Sequence, residues 1–246
     1  MSQPIITREI EYTAADGQRF IGYFAAPAEI STPVAGVVIG PEWWGRNGHV
    51  EQRARELAEH GFAALALDMY GDKKVTHAAS QASEWMQQLL ADPDAIVNRA
   101  QAGLDALIAQ PEVDATKLAA IGFCFGGKVA LDLARSGADL KAVAAFHATL
   151  TPKAPAEKGK FKAEVVVLHG ELDSMVSMES VEQFREEMQA ADVEHEVIIL
   201  KDAKHGFTNV EADAHGKENG IDLGYNAEAE RQGFAAMYAL FDKRLK

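Results

Sequence analysis

The chain has a single cysteine, Cys124, among 246 residues, so no intrachain disulfide can form. Basic residues are also scarce: 24 Lys and Arg face 37 Asp and Glu, for a formal net charge of −13. Nucleic-acid binding needs clustered cations that displace counterions from phosphates, so a nucleic-acid partner is not expected. No apolar run approaches the roughly 20 residues that span a bilayer, which leaves a membrane role without support. The opening residues Met1-Ser2-Gln3-Pro4-Ile5-Ile6-Thr7-Arg8-Glu9 lack the basic-then-apolar order of a signal peptide, and a cytoplasmic protein is expected. Repeats and low-complexity tracts are missing too. What the chain does have is apolar content, 48% of its residues, enough to bury the core of one domain over residues 1–246.

Hydrophobic patterning alternates between the two regular periods. Residues 5–13 and 18–26 alternate as two strands joined at Asp16-Gly17, a hairpin signal that predicts an antiparallel edge. Val34 to Gly40 is a continuous apolar run, as expected for a strand buried on both faces. A helical period over Val50–His60 stops at Gly61, and Phe62–Leu67 reads as the next buried strand. Residues 77–91 and 94–110 read as helices separated at Asp92-Pro93, the first with a stripe of Trp85, Met86, Leu89 and Leu90 that suits ordinary core. Further strands are expected over Leu140–Phe146, Ala163–Leu168 and Glu194–Leu200, a surface loop over 149–162, and helices over 178–190 and 227–245. This alternation predicts an α/β fold: a mostly parallel sheet flanked by helices on both faces, binding ligands at the carboxyl ends of its strands.

Between the strand-like run Lys117–Ile121 and the helical run Lys128–Ala134 lies Gly122-Phe123-Cys124-Phe125-Gly126-Gly127. A residue at the apex of so sharp a turn stands above the sheet, and its neighbours must be small because a Cβ there meets the adjoining strand and helix. The helix beyond aims free N–H groups and its positive end at the sulfur, stabilising first a thiolate and later an oxyanion. A lone cysteine can simply be a small buried hydrophobe. Glycines on both sides at this spacing favour a nucleophile, provided the chain supplies partners.

Partners of the right type fall at other strand ends. His205 follows the last strand and is placed to take the thiol proton and return it to a leaving group; Asp173 follows the strand before and is placed to fix the imidazole tautomer. Glu171 and Asp202 rival Asp173, whose greater distance past the strand end leaves room for the loop to bend back toward His205. Glu42 precedes Trp43-Trp44-Gly45 in an apolar setting, where burial raises a carboxyl pKa and permits proton exchange with a nearby thiol. The backbone N–H groups of Trp43 and Phe125 form the natural oxyanion pair. Trp44, Phe123, Tyr70 and Phe207 are expected to line the substrate pocket with them. His169 is expected to be structural. The order nucleophile, acid, histidine is that of the α/β-hydrolase fold.

With Glu42, the GFCFGG turn, His169-Gly170-Glu171-Leu172-Asp173 and Lys204-His205-Gly206-Phe207 in place, nearly the whole chain resembles the dienelactone hydrolase family. The resemblance implies a Cys124–Asp173–His205 triad, and a role for Glu42 in holding the thiol proton until substrate arrives. Family members that hydrolyse dienelactone carry two arginines for the substrate carboxylate. The matching segments here, Leu67–Lys74 and Gly206–Asn209, contain none, and Lys or Asn does not reproduce a bidentate clamp. The expected activity is therefore hydrolysis of small esters or lactones, without cofactor or metal, with an anionic lactone in doubt unless Lys73, Lys74 or Arg46 points into the mouth. A non-enzymatic small-molecule-binding or redox-sensing protein on the same scaffold is the alternative.

Overall fold

The computed structural model describes residues 3–92 and 94–246; Pro93 of the expected helix break lies outside them, as do Met1 and Ser2 of the opening segment. Eight strands form one sheet in the order β1-β2-β4-β3-β5-β6-β7-β8. The hairpin of β1 (Ile5–Thr13) and β2 (Arg19–Pro27) is antiparallel, and β2 joins β4 (Ala63–Ala66) in the same sense. From β4 onward all neighbours are parallel: β3 (Val34–Gly40), β5 (Val113–Phe123), β6 (Ala142–Phe146), β7 (Glu164–Gly170) and β8 (His195–Leu200). This is the expected antiparallel edge on a parallel sheet. One strand is longer than its apolar run: β5 begins at Val113, and its pairing with β3 shifts register between Ala35 and Gly36.

Helices cover both faces, and side-chain alternation along the strands sorts the core into two layers. Val38, Leu65, Leu118 and Ala120 pack under α2 (Ala79–Ala91), α3 (Ala95–Ile108), α4 (Phe125–Arg135) and α5 (Met178–Ala190). Val37, Ile39, Ile121 and Phe123 pack under α1 (Gly48–Glu59) and the C-terminal α7 (Ala227–Arg244). One helix was not foreseen: α6 (Ala212–Asn219) has no apolar period, burying only Ala212, His215 and Gly216.

The ends of β3 and β5 and the start of α4 meet with no room for side chains. A Cβ on Gly122 would stand 1.9 Å from the carbonyl oxygen of Gly126, and one on Gly40 would stand 2.3 Å from that same oxygen. So close an approach turns the chain abruptly, and Cys124 takes φ 54° and ψ −116°, a region that L residues avoid at a cost of roughly 1–3 kcal/mol. Its N–H is anchored on the Phe146 carbonyl at 3.0 Å, and its own carbonyl accepts from Gly127 at 3.1 Å. Substituting Gly122→Ala is expected to lower stability by about 3 kcal/mol through backbone overlap. Cys124→Gly is expected to raise it by about 1 kcal/mol by relieving the turn. Denaturant midpoints at unchanged m-value check both.

Candidate active site

Loops from the carboxyl ends of β3, β4, β5, β6, β7 and β8 converge on Cys124, which is half-buried. The acid turn after β7 and the histidine loop after β8 are stapled by their backbones: the N–H of Leu172 donates to Ala203 at 2.8 Å and that of Glu171 to Leu200 at 2.9 Å. Glu171, the rival acid, instead accepts from the N–H of Asp202 at 3.0 Å and ties the same two loops. The expected pair meets: His205 Nδ1 lies 2.8 Å from Asp173 Oδ2. The other carboxylate oxygen of Asp173 accepts from the backbone N–H groups of Met175 and Val176, each at 2.9 Å. With both oxygens occupied, the carboxylate cannot rotate away from the ring.

The electrostatics follow from these contacts. Burial opposes charge on Asp173, but the His205 bond and the two amides outweigh it and hold the carboxyl below its usual range. Burial likewise opposes charge on His205, yet the neighbouring Cys124 sulfur and the Asp173 carboxylate raise the imidazole to about 10. His205 Nε2 has no hydrogen-bond partner among the described residues. Glu42 is buried, and desolvation pushes it up to about 7 against the pull of its 2.7 Å bond from Asn209 Nδ2. No hydrogen bond joins Glu42 to Cys124 among the described residues; its second neighbour is His49, whose Nδ1 lies 3.6 Å from Oε2.

The aromatic residues divide between site and core. Trp43 is half-buried, and its carbonyl accepts from the Tyr70 hydroxyl at 3.1 Å. Tyr70 stacks on Phe125 at 6.3 Å, and burial, reinforced by the neighbouring Cys124 sulfur, keeps the phenol neutral. Buried Asp68 shapes the Tyr70 turn by accepting from the N–H groups of Tyr70, Gly71 and Lys73. The other three expected pocket residues are core side chains. Phe123 is fully buried against Phe146 at 5.0 Å, because strand alternation points it to the α1/α7 face, opposite α4. Phe207 packs in that same layer against His147, and Trp44 is buried edge-on to His215 at 4.9 Å. Two of the three cations that could attract an anion are engaged elsewhere: Arg46 binds Glu9 at 2.8 Å, and Lys73 binds the same carboxylate at 3.1 Å, whereas Lys74 lines a cavity beside Tyr70 and Trp85.

Sequence reasoning did not find Asn209, His49, Thr208 or His147. His147 follows β6 at φ 37°, with its ring 5.1 Å from His205 and its Nε2 2.9 Å from Thr208 Oγ1. Burial, then the charge on His205, keeps it neutral. His169 is buried as expected of a structural residue, though its Nδ1 has no partner among the described residues.

An open, mostly parallel sheet with a cysteine on a strained strand-to-helix turn, and a histidine–acid pair on the last two strand ends, defines an α/β-hydrolase. The model of the dienelactone hydrolase family matches residues 20–245, and the chain belongs to that family. A Yersinia pestis protein named, by inference, a carboxymethylenebutenolidase is 27% identical over 238 residues, covering 92% of this chain and 85% of its own. The solved structure of a dienelactone hydrolase-like promiscuous phosphotriesterase from metagenomic libraries is 42% identical, with TM-score 0.92, covering 98% of this chain and 99% of its own. The fold also recurs in a cold-adapted esterase from an Arctic intertidal metagenomic library, at TM-score 0.71 and 17% identity, covering 98% and 95%. The protein is thus a hydrolase acting on a small molecule, and the non-enzymatic alternative is set aside. No described helix is long and apolar enough to cross a membrane.

The raised Glu42 makes stability depend on pH in a defined direction. Its folded value, about 7, lies above its ordinary value of 4.5, so the folded state binds more protons between these limits. The resulting contribution is complete below pH 4.5 and is lost as pH rises through 7. At roughly 1.4 kcal/mol per unit, this amounts to about 3 kcal/mol. Glu42→Gln, which keeps the shape without the charge, is expected to gain about that much over the parent between pH 5 and pH 8, measured by urea unfolding at each pH.

Proposed function

We propose that the protein hydrolyses small carboxylic esters or lactones through a covalent acyl-enzyme on Cys124. The observation that carries this reading is the geometry around His205: one ring nitrogen is fixed on Asp173 at 2.8 Å, and the other is unpartnered and under the charge of the Cys124 sulfur. In the first half-reaction the thiolate attacks the carbonyl carbon and the π electrons move to oxygen. The backbone N–H groups of Trp43 and Phe125 donate to no other group among the described residues, which suits them to receive that oxyanion. The tetrahedral intermediate collapses as the C–O bond breaks and imidazolium His205 gives its proton to the leaving alkoxide. In the second half-reaction His205 takes a proton from water, hydroxide adds to the thioester, and the carboxylic acid leaves while the thiolate is regenerated.

Glu42 exchanges the thiol proton in this scheme. Near pH 7 its two protonation states are almost equally populated, so it can accept a proton from Cys124 and release it again at little cost. The substrate mouth, bordered by Trp43 and Tyr70, favours uncharged acyl or aryl groups, since Arg46 and Lys73 are already paired with Glu9 and Lys74 alone of the three cations lines a cavity beside Tyr70.

With p-nitrophenyl acetate, a burst of one p-nitrophenolate per enzyme is expected. Cys124→Ala is expected to abolish both burst and turnover, and His205→Ala and Asp173→Asn to lose at least about a hundredfold in kcat. Unchanged turnover in Cys124→Ala would sink the reading. A second reading rests on the 42% identical neighbour described as a promiscuous phosphotriesterase: the same thiolate and amides could attack phosphorus. Comparing kcat/KM for p-nitrophenyl acetate and a p-nitrophenyl phosphotriester decides which centre the site prefers, and the carboxylic ester is expected to win.

A further inference from the structure

Behind Glu42 lies a buried polar cluster that the mechanism above does not use. His49, near the start of α1, packs its ring edge-on against Phe123 at 4.8 Å, and its side chain is 5% exposed. Arg53 Nε donates to His49 Nε2 at 3.4 Å. A guanidinium can only donate, so this contact favours Nε2 as acceptor, with the ring proton of a neutral His49 on Nδ1; the Thr208 backbone also faces the ring and favours the opposite tautomer. That Nδ1 is buried and without a hydrogen-bond partner, and 3.6 Å from it stands Glu42 Oε2. Asn209 Nδ2 donates to the same Oε2 at 2.7 Å. One donor, Asn209, is thus bonded to Oε2, the His49 Nδ1 edge faces the same oxygen beyond hydrogen-bond length, and Oε1 accepts from no group among the described residues.

We propose that His49 is a positioning residue: with Asn209 it holds Glu42 Oε2 from behind, so that Oε1 is the oxygen presented to the reacting thiol. The proposal rests on the role given to Glu42 above. Arg53 is what holds His49 in the required state. Its guanidinium binds the Thr208 carbonyl and Glu56, each at 2.7 Å, and also Glu230, so it is fixed in place as a permanent cation. Burial and that cation drive His49 down to about 3, and a neutral ring can neither leave Arg53 for a carboxylate nor form an ion pair with Glu42.

Thr208 Oγ1 lies 3.5 Å from His49 Nε2, and neutral His147 binds the same hydroxyl. The charges of His205 and Arg53 favour the Glu42 carboxylate, and that of Glu211 opposes it. A cavity of about 330 Å³ lined by His49, Arg53, Asn209, Glu211 and Glu230 borders the two donors.

The sign of the expected effect follows from the donors. A carboxylate that loses one donor is harder to ionise, so the acid limb of kcat/KM moves to higher pH. For His49→Phe, which keeps the aromatic contact with Phe123, an upward shift of about one pH unit is expected, with kcat lowered and KM unchanged. His49→Asn, whose amide can reach the Nδ1 position, is expected to restore the parental profile. In a Glu42→Gln background His49→Phe is expected to add nothing. A parental profile in folded His49→Phe, or an effect that survives in Glu42→Gln, overturns the proposal. If Glu42→Gln itself leaves the parental pH profile intact, the Glu42 role falls and the proposal falls with it. A measurement on the unsubstituted protein stands apart from folding: imidazole ¹⁵N shifts are expected to show His49 neutral and protonated on Nδ1 at pH 6, and the Nε2-protonated tautomer would overturn it.

Discussion

Everything at the reactive end of the molecule depends on three glycines that leave no space between two strands and a helix. Gly40, Gly122 and Gly126 let the backbones of β3, β5 and α4 meet so closely that any Cβ would overlap the Gly126 peptide or its neighbours. The turn between β5 and α4 consequently leaves no relaxed conformation for its apex, and Cys124 is held at positive φ with its side chain raised above the sheet. The same crowding brings the loop after β3, with Glu42 and the Trp43 amide, alongside the first turn of α4. The position of the Cys124 side chain comes from one packing constraint, and its cost in backbone strain is carried by the surrounding core.

A second layer of constraint is electrostatic. Four ionisable or polar groups, Glu42, His49, Asp173 and His205, are withdrawn from water within one cluster of loops, and their environments drive them in different directions. Asp173 is charged because three donors saturate it; His205 is charged because a carboxylate and a sulfur flank it; His49 is neutral because it is buried and a fixed guanidinium lies against it; Glu42 is raised because burial outweighs its donors. Separated protonation tendencies of this kind are what acid–base chemistry at neutral pH requires. None of them could arise on the surface, where water would level the differences.

Much of this was legible in the sequence, and the reasons are local. The Asp16-Gly17 hairpin, the uninterrupted apolar runs of β3 and β6 and the glycines around Cys124 are short-range signals, and each gave the right element in the right order. Asp173 and His205 could be singled out because strand ends in a parallel sheet share an edge. Asn209, His49, Thr208 and Arg53 could not, since their contacts join α1 to a loop some 160 residues later and depend on how α1 and α7 pack. Phe123 and Phe207 were expected beside the thiol on aromatic character alone. Counting the two-residue period along Ala119, Ile121 and Phe123 places Phe123 on the opposite layer. Helix α6 carries no periodic apolar stripe and is held instead by its contact with Trp44 and by the close approach of Gly216 to the Ile221–Leu223 backbone.

The central claim is that carbon–sulfur bond formation at Cys124 precedes hydrolysis. Acid-quenching a reaction with p-nitrophenyl acetate within the burst, followed by peptide mass mapping, tests it most directly. The account predicts one acetyl group per chain, on the peptide containing Cys124, that disappears on the timescale of turnover. Continued turnover with no acetylated Cys124 at any quench time would contradict it.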